Sequence, residues 1–400
     1  MTRRSIVYYV GMITTDAYGR AIGARIYAGA AARKMTVVAQ AMRSVGLRSI
    51  IVSLPFVGPD AKQTAFGPVV TSDGGVPTFF TATLRSPVLR KLVGQFHLAD
   101  FFLRHVRRDD TVIFYNHAME YLLTLLLLRL KGVRLVLDIE DAPTDDEVGL
   151  RGLLNRVSFA ITYRLTEPRK MVVADHVAKC LGLDDYVTIR GVASQEVGAK
   201  PPPNLRKWVE LQTGEALKLH FGGSLLVETG IDLFCESVKL LMRSADRLSC
   251  RVSFKVTGVG DLEKIRDLQD WIANSAKVSV ELLPDLSKAE YFSLIGTCHG
   301  SLSLKRPGSA MSNTTFPSKV IEITAAGLAL VSTRLGDVTE IFGEDSAYFI
   351  AGYQPEGLVE TIIEMAAAPE RVERVAAAGS KLCNKVFAPE VVGEEMKRLL

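Results

Sequence analysis

The sequence predicts an α/β protein made of two doubly wound domains facing each other across a cleft. Three observations predict it. The chain has 400 residues, more than one ordinary core holds and suited to two domains of about 200 each. Short β-rich runs alternate with helical stretches in two separate series, and strands separated by helices make a parallel sheet covered on both faces. Between the series lies a polar break with Pro201, Pro202 and Pro203, which reads as an interdomain linker over 191–216.

In the first series, Ile6–Val10 reads as a strand, followed by a glycine-bearing loop and a long helix from about Ile22 to Val45. Ser49–Leu54, Thr111–Tyr115, Arg134–Ile139 and Lys170–Ala174 read as later strands, with an apolar helix over Glu120–Leu130. The second series gives strands Leu217–Phe221, Val252–Thr257, Lys277–Leu283, Gly300–Leu304 and Leu328–Thr333. Helices Asp232–Met242, Leu262–Ala273, Lys288–Gly296 and Pro317–Ala326 alternate with them. The resulting domains are 1–190 and 217–385. A last helix, 386–400, is placed as returning to the first domain. Ligands in such sheets sit at the carboxyl ends of strands.

The composition narrows the class. The chain is 48% hydrophobic and 23% charged, which is globular, and no repeat or low-complexity tract stands out. Five scattered cysteines without a CxxC pair argue against a disulfide framework or a structural zinc site and suit a reducing cytoplasm. The basic N-terminus runs straight into a strand and reads as no signal peptide. The most apolar run, Tyr121–Leu128, is closed by Arg129 and Lys131, far short of the roughly 20 residues that span a bilayer. Residues 1–190 hold 25 Lys+Arg against 17 Asp+Glu, and 191–400 hold 23 against 27. The basic first half suits either an anionic partner, a membrane surface or a phosphorylated acceptor, or an ordinary solvated surface.

The segment Gly300–Thr333 carries the most chemistry. After a strand come Lys305 and Arg306, then a polar loop with Asn313, Thr314, Thr315 and Phe316, then Pro317 at an expected helix start. Lys319 and Glu322 follow in the first turns, and Gly327 ends the helix. A helix start beside cations suits an anion, and a carboxylate one turn on can accept ribose hydroxyl hydrogen bonds. The same residues would also serve as a plain αβ connection.

This pattern, Phe316-Pro-Ser-Lys-Val-Ile-Glu322 with Ala325-Ala-Gly327 and Gly336-Asp-Val-Thr-Glu340, resembles the donor-site signature of the group 1 (family 4) glycosyltransferases. Phe221-Gly-Gly-Ser224 through Asp232, Val256-Thr-Gly258-Val-Gly-Asp261, and Val173 through Gly191 resemble further pieces in the family's order. The resemblance implies the GT-B fold and a retaining, metal-independent transferase of the kind found in bacterial polysaccharide biosynthesis. Its donor would be a nucleotide diphosphate sugar, with no other cofactor and no nucleic acid partner. Its acceptor would be a glycan or lipid-linked glycan. It implies ribose binding by Glu322 and diphosphate and sugar binding by the loop Ser309–Phe316. It also implies a base side lined by Gly223, Ser224, Gly258 and the turn Leu283-Pro284-Asp285. Three positions depart from the family: Thr314 replaces its first glutamate, and Ser224 and Glu228 replace its Arg and Lys. Lys305, Arg306 and Lys319 are the candidate replacement cations.

In the first half, Gly19 and Gly23 could let backbone approach the diphosphate, or simply belong to a packed loop. His117 follows a strand, where family members often carry a histidine near the transferred sugar; with Glu322 it is the catalytic candidate. Asn116, His117, Glu140 and Asp141 are the acceptor-binding candidates, Glu140 and Asp141 equally serving as caps. The stretch Leu89–Arg108 is amphipathic and basic, as an interfacial helix meeting an anionic membrane would be, or a core-facing helix with a solvated rim. The location expected is cytoplasmic, with peripheral contact at the inner face of the cell membrane. The alternatives are a non-hydrolysing nucleotide-sugar epimerase of the same fold and an inactive binding or scaffold protein.

Overall fold

A computed structural model describes residues 5–23, 29–58, 61–143, 148–193, 205–283, 286–309 and 316–400. The chain divides into two compact units, one of residues 1–192 with 388–400 and one of 193–387.

In the first unit, strands β1 (Ile6–Gly11), β2 (Arg48–Ser53), β3 (Ala65–Phe66), β4 (Val69–Asp73), β5 (Val76–Phe80) and β6 (Thr83–Leu84) come first. β7 (Thr111–Tyr115), β8 (Arg134–Ile139), β9 (Lys170–Val172) and β10 (Tyr186–Thr188) follow. Eight of them form one sheet in the order β10-β9-β8-β7-β1-β2-β5-β4, and β3 pairs with β6 apart from it. Successive side chains of a strand point to opposite faces, so β1 feeds two cores. Val7 and Tyr9 join helix Gly29–Ser44 and the C-terminal helix Pro389–Leu399 on one side. Ile6, Tyr8 and Val10 join helices Pro87–His105 and Leu122–Lys131 on the other.

The second unit is one six-stranded sheet of β11 (Ala216–Leu225), β12 (Arg251–Gly260), β13 (Val278–Leu283), β14 (Gly300–Ser303), β15 (Ala329–Ser332) and β16 (Tyr348–Phe349). The order is β13-β12-β11-β14-β15-β16 and every pairing is parallel. This is the doubly wound order 3-2-1-4-5-6, with its reversal between the first and fourth strands.

Several expected elements differ. The long helix from Ile22 is two helices, Asp16–Ile22 and Gly29–Ser44, the first closed by Gly23 in a left-handed conformation at φ 68°. β11 runs past Phe221 to Leu225 because its glycines let it stay paired with β12. The stretch 191–216 contains helix Leu205–Gln212, whose Lys207 is buried and donates to the Cys298 carbonyl at 2.8 Å. Helix Gly149–Leu165 had no counterpart among the expected elements.

Candidate functional site

The reversal of strand order in the second unit lies between β11 and β14, and ligands of such sheets bind outside the carboxyl ends there. Gly222 and Gly223 pair with Thr257 and Gly258 at that end. Gly258 has φ 120°, and a Cβ there would stand 1.9 Å from the Gly223 carbonyl oxygen. Gly223 has φ 100°, and a Cβ there would stand 2.6 Å from Lys319 Nζ. The two strand ends therefore run closer than any side chain permits, and the Lys319 ammonium lies over bare backbone.

Beneath this sits His220. Its Nδ1 shares a hydrogen bond with the Ser301 hydroxyl at 2.8 Å and its Nε2 one with Thr257 at 2.9 Å. Burial pushes its pKa down to about 3, and the Lys319 charge acts in the same direction. The imidazole is neutral at physiological pH, so it bridges β14, β11 and β12 without adding a second charge. The sequence signal for it was a histidine between Leu219 and Phe221 in a parallel strand, where continuous hydrophobic residues are the rule.

The loops after β11 and β14 are stitched together. Gly230, φ 89°, lies so close to Leu304 that a Cβ would meet its carbonyl oxygen at 2.2 Å. Arg306 N–H donates to the Glu228 carbonyl at 2.9 Å, and the Thr333 hydroxyl donates to the Lys305 carbonyl at 2.7 Å. Lys305 is buried and Arg306 exposed. Burial raises the Tyr353 hydroxyl pKa; Arg306 pulls it down while Asp232 and Glu228 push it up. The Arg306 cation thus stands in the neighbourhood of Glu228, the position where the family resemblance led one to expect a lysine.

Helix Lys319–Ala325 starts two residues later than Pro317, with Ser318 as its cap. The Val320 and Ile321 amides bond to the Pro317 and Ser318 carbonyls, a tight first turn. Glu322 is half-buried in that turn, and Gly327 follows the last turn at φ 70°. Phe316 is buried, its ring 6.4 Å from Phe387. Ser224 is exposed, and Leu283 closes β13, two strands from β11. Asn313, Thr314, Thr315, Pro284 and Asp285 lie outside the described residues.

In the first unit the carboxyl strand ends are built from side chains. Asn116 directly follows β7, with φ 59°. Its Oδ1 accepts from the Glu140 and Asp141 amides at 3.1 and 3.0 Å, and its Nδ2 donates to Asp141 Oδ2 at 3.1 Å. Asparagine tolerates this left-handed backbone, and the side chain clasps the loop after β8. Glu140 is buried and ion-paired with Lys34, which also donates to the Ile189 carbonyl at 2.9 Å. Tyr9 donates to Asp138, a fully buried carboxyl held well above the usual range by burial, with Glu140 adding and Lys34 opposing. Reading Lys34 and Asp138 from sequence required noticing charges at positions that pack against an apolar sheet. His117 Nε2–H donates to Asn155 Oδ1 at 2.8 Å and meets Phe159 edge-on, both on helix Gly149–Leu165.

Gly19 and Gly23 take a different place from the one expected. Gly19 is inside helix Asp16–Ile22, its amide bonded to the Thr15 carbonyl at 2.9 Å, and the Gly23 amide caps that helix on Gly19. Both amides are occupied by the helix, so neither is offered to a phosphate.

Residues 236–395 match the model of a family described as glycosyl transferase-like. No curated protein matches the sequence. Solved structures match over the whole chain. Sucrose-phosphate synthase of Thermosynechococcus elongatus has TM-score 0.67 at 10% identity, covering 99% of this chain and 98% of its own. A glycosyltransferase of Rickettsia africae has TM-score 0.67 at 12% identity, covering 100% and 98%. Anabaena HepE, solved with UDP and glucose, has TM-score 0.65 at 12% identity, covering 99% of each chain. The chain therefore has the GT-B fold of these enzymes, and residues 236–395, most of the second unit and part of the C-terminal helix, carry the glycosyl transferase-like sequence pattern.

Proposed function

We propose that this protein is a nucleotide-sugar-dependent glycosyltransferase whose second unit holds the donor. The observation that carries the reading is the bare backbone of Gly223 beside the Lys319 ammonium, with Gly258 packed against that backbone. A diphosphate needs close backbone approach and a cation, and this strand end offers both at the switch point. Glu322, one turn beyond Lys319 on the same helix, is the ribose-binding candidate. That HepE was solved with UDP and glucose supports a uridine diphosphate sugar as the first donor to try.

In the reaction, the bond between the sugar's anomeric carbon and the diphosphate oxygen breaks as an acceptor hydroxyl oxygen bonds to that carbon. The hydroxyl proton passes to the departing diphosphate. Retention of configuration and independence of metal follow from the family resemblance. Lys319, with Lys305 and Arg306, stabilises the negative charge that develops on the leaving group, the largest catalytic term such a site can supply. His220 holds the strand ends in register as a neutral partner. His117 and the loop clasped by Asn116 are the acceptor-side groups, for a glycan or lipid-linked glycan.

Titration calorimetry with UDP tests this. Lys319→Met is expected to weaken binding roughly tenfold or more, as loss of a charge-assisted contact does, and Lys305→Ala with Arg306→Ala to weaken it further. Unchanged affinity in both variants, with folding intact by circular dichroism, removes the donor assignment.

A further inference from the structure

Helix Gly149–Leu165 is amphipathic in the wrong direction for a core helix. Its apolar residues Leu150, Leu153, Leu154, Val157 and Ile161 recur at the spacing of one helical face, and all five are exposed, Leu150 at 72%. The face turned inward carries Ser158 at 2% and Thr162 at 0% exposure. Their hydroxyl oxygens have no hydrogen-bond partner among the described residues. A helix that buries hydroxyls and exposes leucines is costly unless the leucines are covered by something else.

The neighbouring helices extend the surface. Pro87–His105 packs on Leu122–Lys131, which packs on Gly149–Leu165. The first exposes Leu89, Leu92 and Phe96, the last at 67%, and the second exposes Leu126 and Leu130. Lys91, Arg156 and Arg164 are exposed among them, and Arg129, also exposed, is paired with Glu167 at 3.2 Å. No acidic residue lies between Val148 and Leu165, and the Asp100 carboxylate of the first helix is paired with Arg104 at 2.7 Å. An open recess lined by Arg108, Arg129, Arg134 and Glu167 adjoins the end of the middle helix. Asp145, Asp146 and Glu147 precede the last helix in sequence and lie outside the described residues.

We propose that these three helices dock the first unit onto an anionic lipid bilayer, the leucine stripe of Gly149–Leu165 entering the acyl boundary and the arginines meeting the headgroups. Apolar side chains interleaved with cations fit this partner, since burial and attraction to anionic lipid add. A second copy fits worse: a two-fold contact sets the same arginine-bearing patch against itself. No described helix is long and apolar enough to cross a membrane, so the contact is one of lying on the surface. The inner side of the docking helix holds His117 through Asn155. The proposal deepens the lipid-linked acceptor reading, but its test needs no turnover.

Flotation of the full chain with phosphatidylglycerol–phosphatidylcholine vesicles, and with phosphatidylcholine alone, decides the matter. Binding is expected only to the anionic vesicles, falling with added salt. Leu150→Glu with Leu154→Glu should reduce it about tenfold or more, and Arg156→Ala with Arg164→Ala severalfold. Val209→Glu, exposed in the second unit, should leave it unchanged. No flotation, or flotation indifferent to the leucine pair, overturns the proposal. So does a dimer in sedimentation equilibrium that the leucine pair dissociates. UDP affinity measured on the same variants separates this outcome from failure of the donor site.

Discussion

The two units end their central strands in opposite ways. In the second, β11 and β12 close in glycines, and the nearby charge arrives from a helix above as Lys319. In the first, β7 and β8 close in Asn116, Asp138 and Glu140, tied to one another and to Tyr9 and Lys34. One end offers backbone to a ligand and the other is a self-bonded polar cluster. The same architecture can thus end in bare backbone beside a cation or in a self-bonded polar cluster, and only the residues at the strand ends decide which.

The sharpest way to break the contrast is to give the glycine end a side chain. In Gly258→Ala the new Cβ would collide with the Gly223 carbonyl at a backbone angle that non-glycine residues avoid. Neither strand can yield without breaking the β11–β12 ladder. A loss of roughly 3 kcal/mol or more is expected from overpacking and strain together. Thermal unfolding should show it, and UDP should no longer raise the melting temperature. A variant as stable as the parent would mean that the strand ends are looser than their geometry implies.

Next in size is the response to pH, which should have opposite sign in the two units. The folded pKa of His220, about 3, lies below its ordinary 6.5. Its contribution to stability is complete above about pH 6.5 and is lost as pH falls toward 3, by at most about 1.4 kcal/mol per pH unit. His220→Gln should flatten that acid limb in a plot of melting temperature against pH. Asp138 is shifted the other way, its folded pKa raised above 3.8 by burial. Its contribution is complete below pH 3.8 and is lost as pH rises through the folded value. Asp138→Asn, which mimics the neutral acid, should therefore hold or raise stability by about 1 kcal/mol at neutral pH. A large destabilisation there would mean that the carboxylate is ionised.

What the sequence disclosed follows the same division. Five of the second unit's six strands and the glycines at their ends read directly, because parallel buried strands are apolar runs and glycine marks close approach, while the two-residue β16 is too short to show a pattern. The turn at Asp73-Gly74-Gly75, which joins β4 to β5 with both glycines at positive φ, carried a hairpin signal that the alternation of strands and helices obscured. Helix Gly149–Leu165 escaped because its apolar stripe is the exposed side and Ser158 and Thr162 lie on the buried side, the reverse of what amphipathic periodicity implies. Gly19 and Gly23 misled because glycine spacing does not separate a loop from a helix with its cap. The ion pair of Lys34 with Glu140 joins residues 106 apart in sequence, beyond any local pattern.

The smallest effect tests whether the first unit's platform is as rigid as its bonds suggest. Asn116 does two things, tolerating φ 59° and clasping the Glu140 and Asp141 amides. Asn116→Gly keeps the backbone angle and loses the clasp, at a cost of about 1 kcal/mol. Asn116→Ala loses both and should cost about 2 kcal/mol. The difference between the two variants isolates the backbone term from the side-chain term. If the clasp positions the acceptor loop, both variants should raise KM for acceptor while leaving UDP affinity in the other unit untouched. If Asn116→Gly matches the parent in stability and in acceptor KM, the hydrogen bonds after β8 do not order the loop, and the polar end of this sheet is as open to remodelling as the glycine end is closed to it.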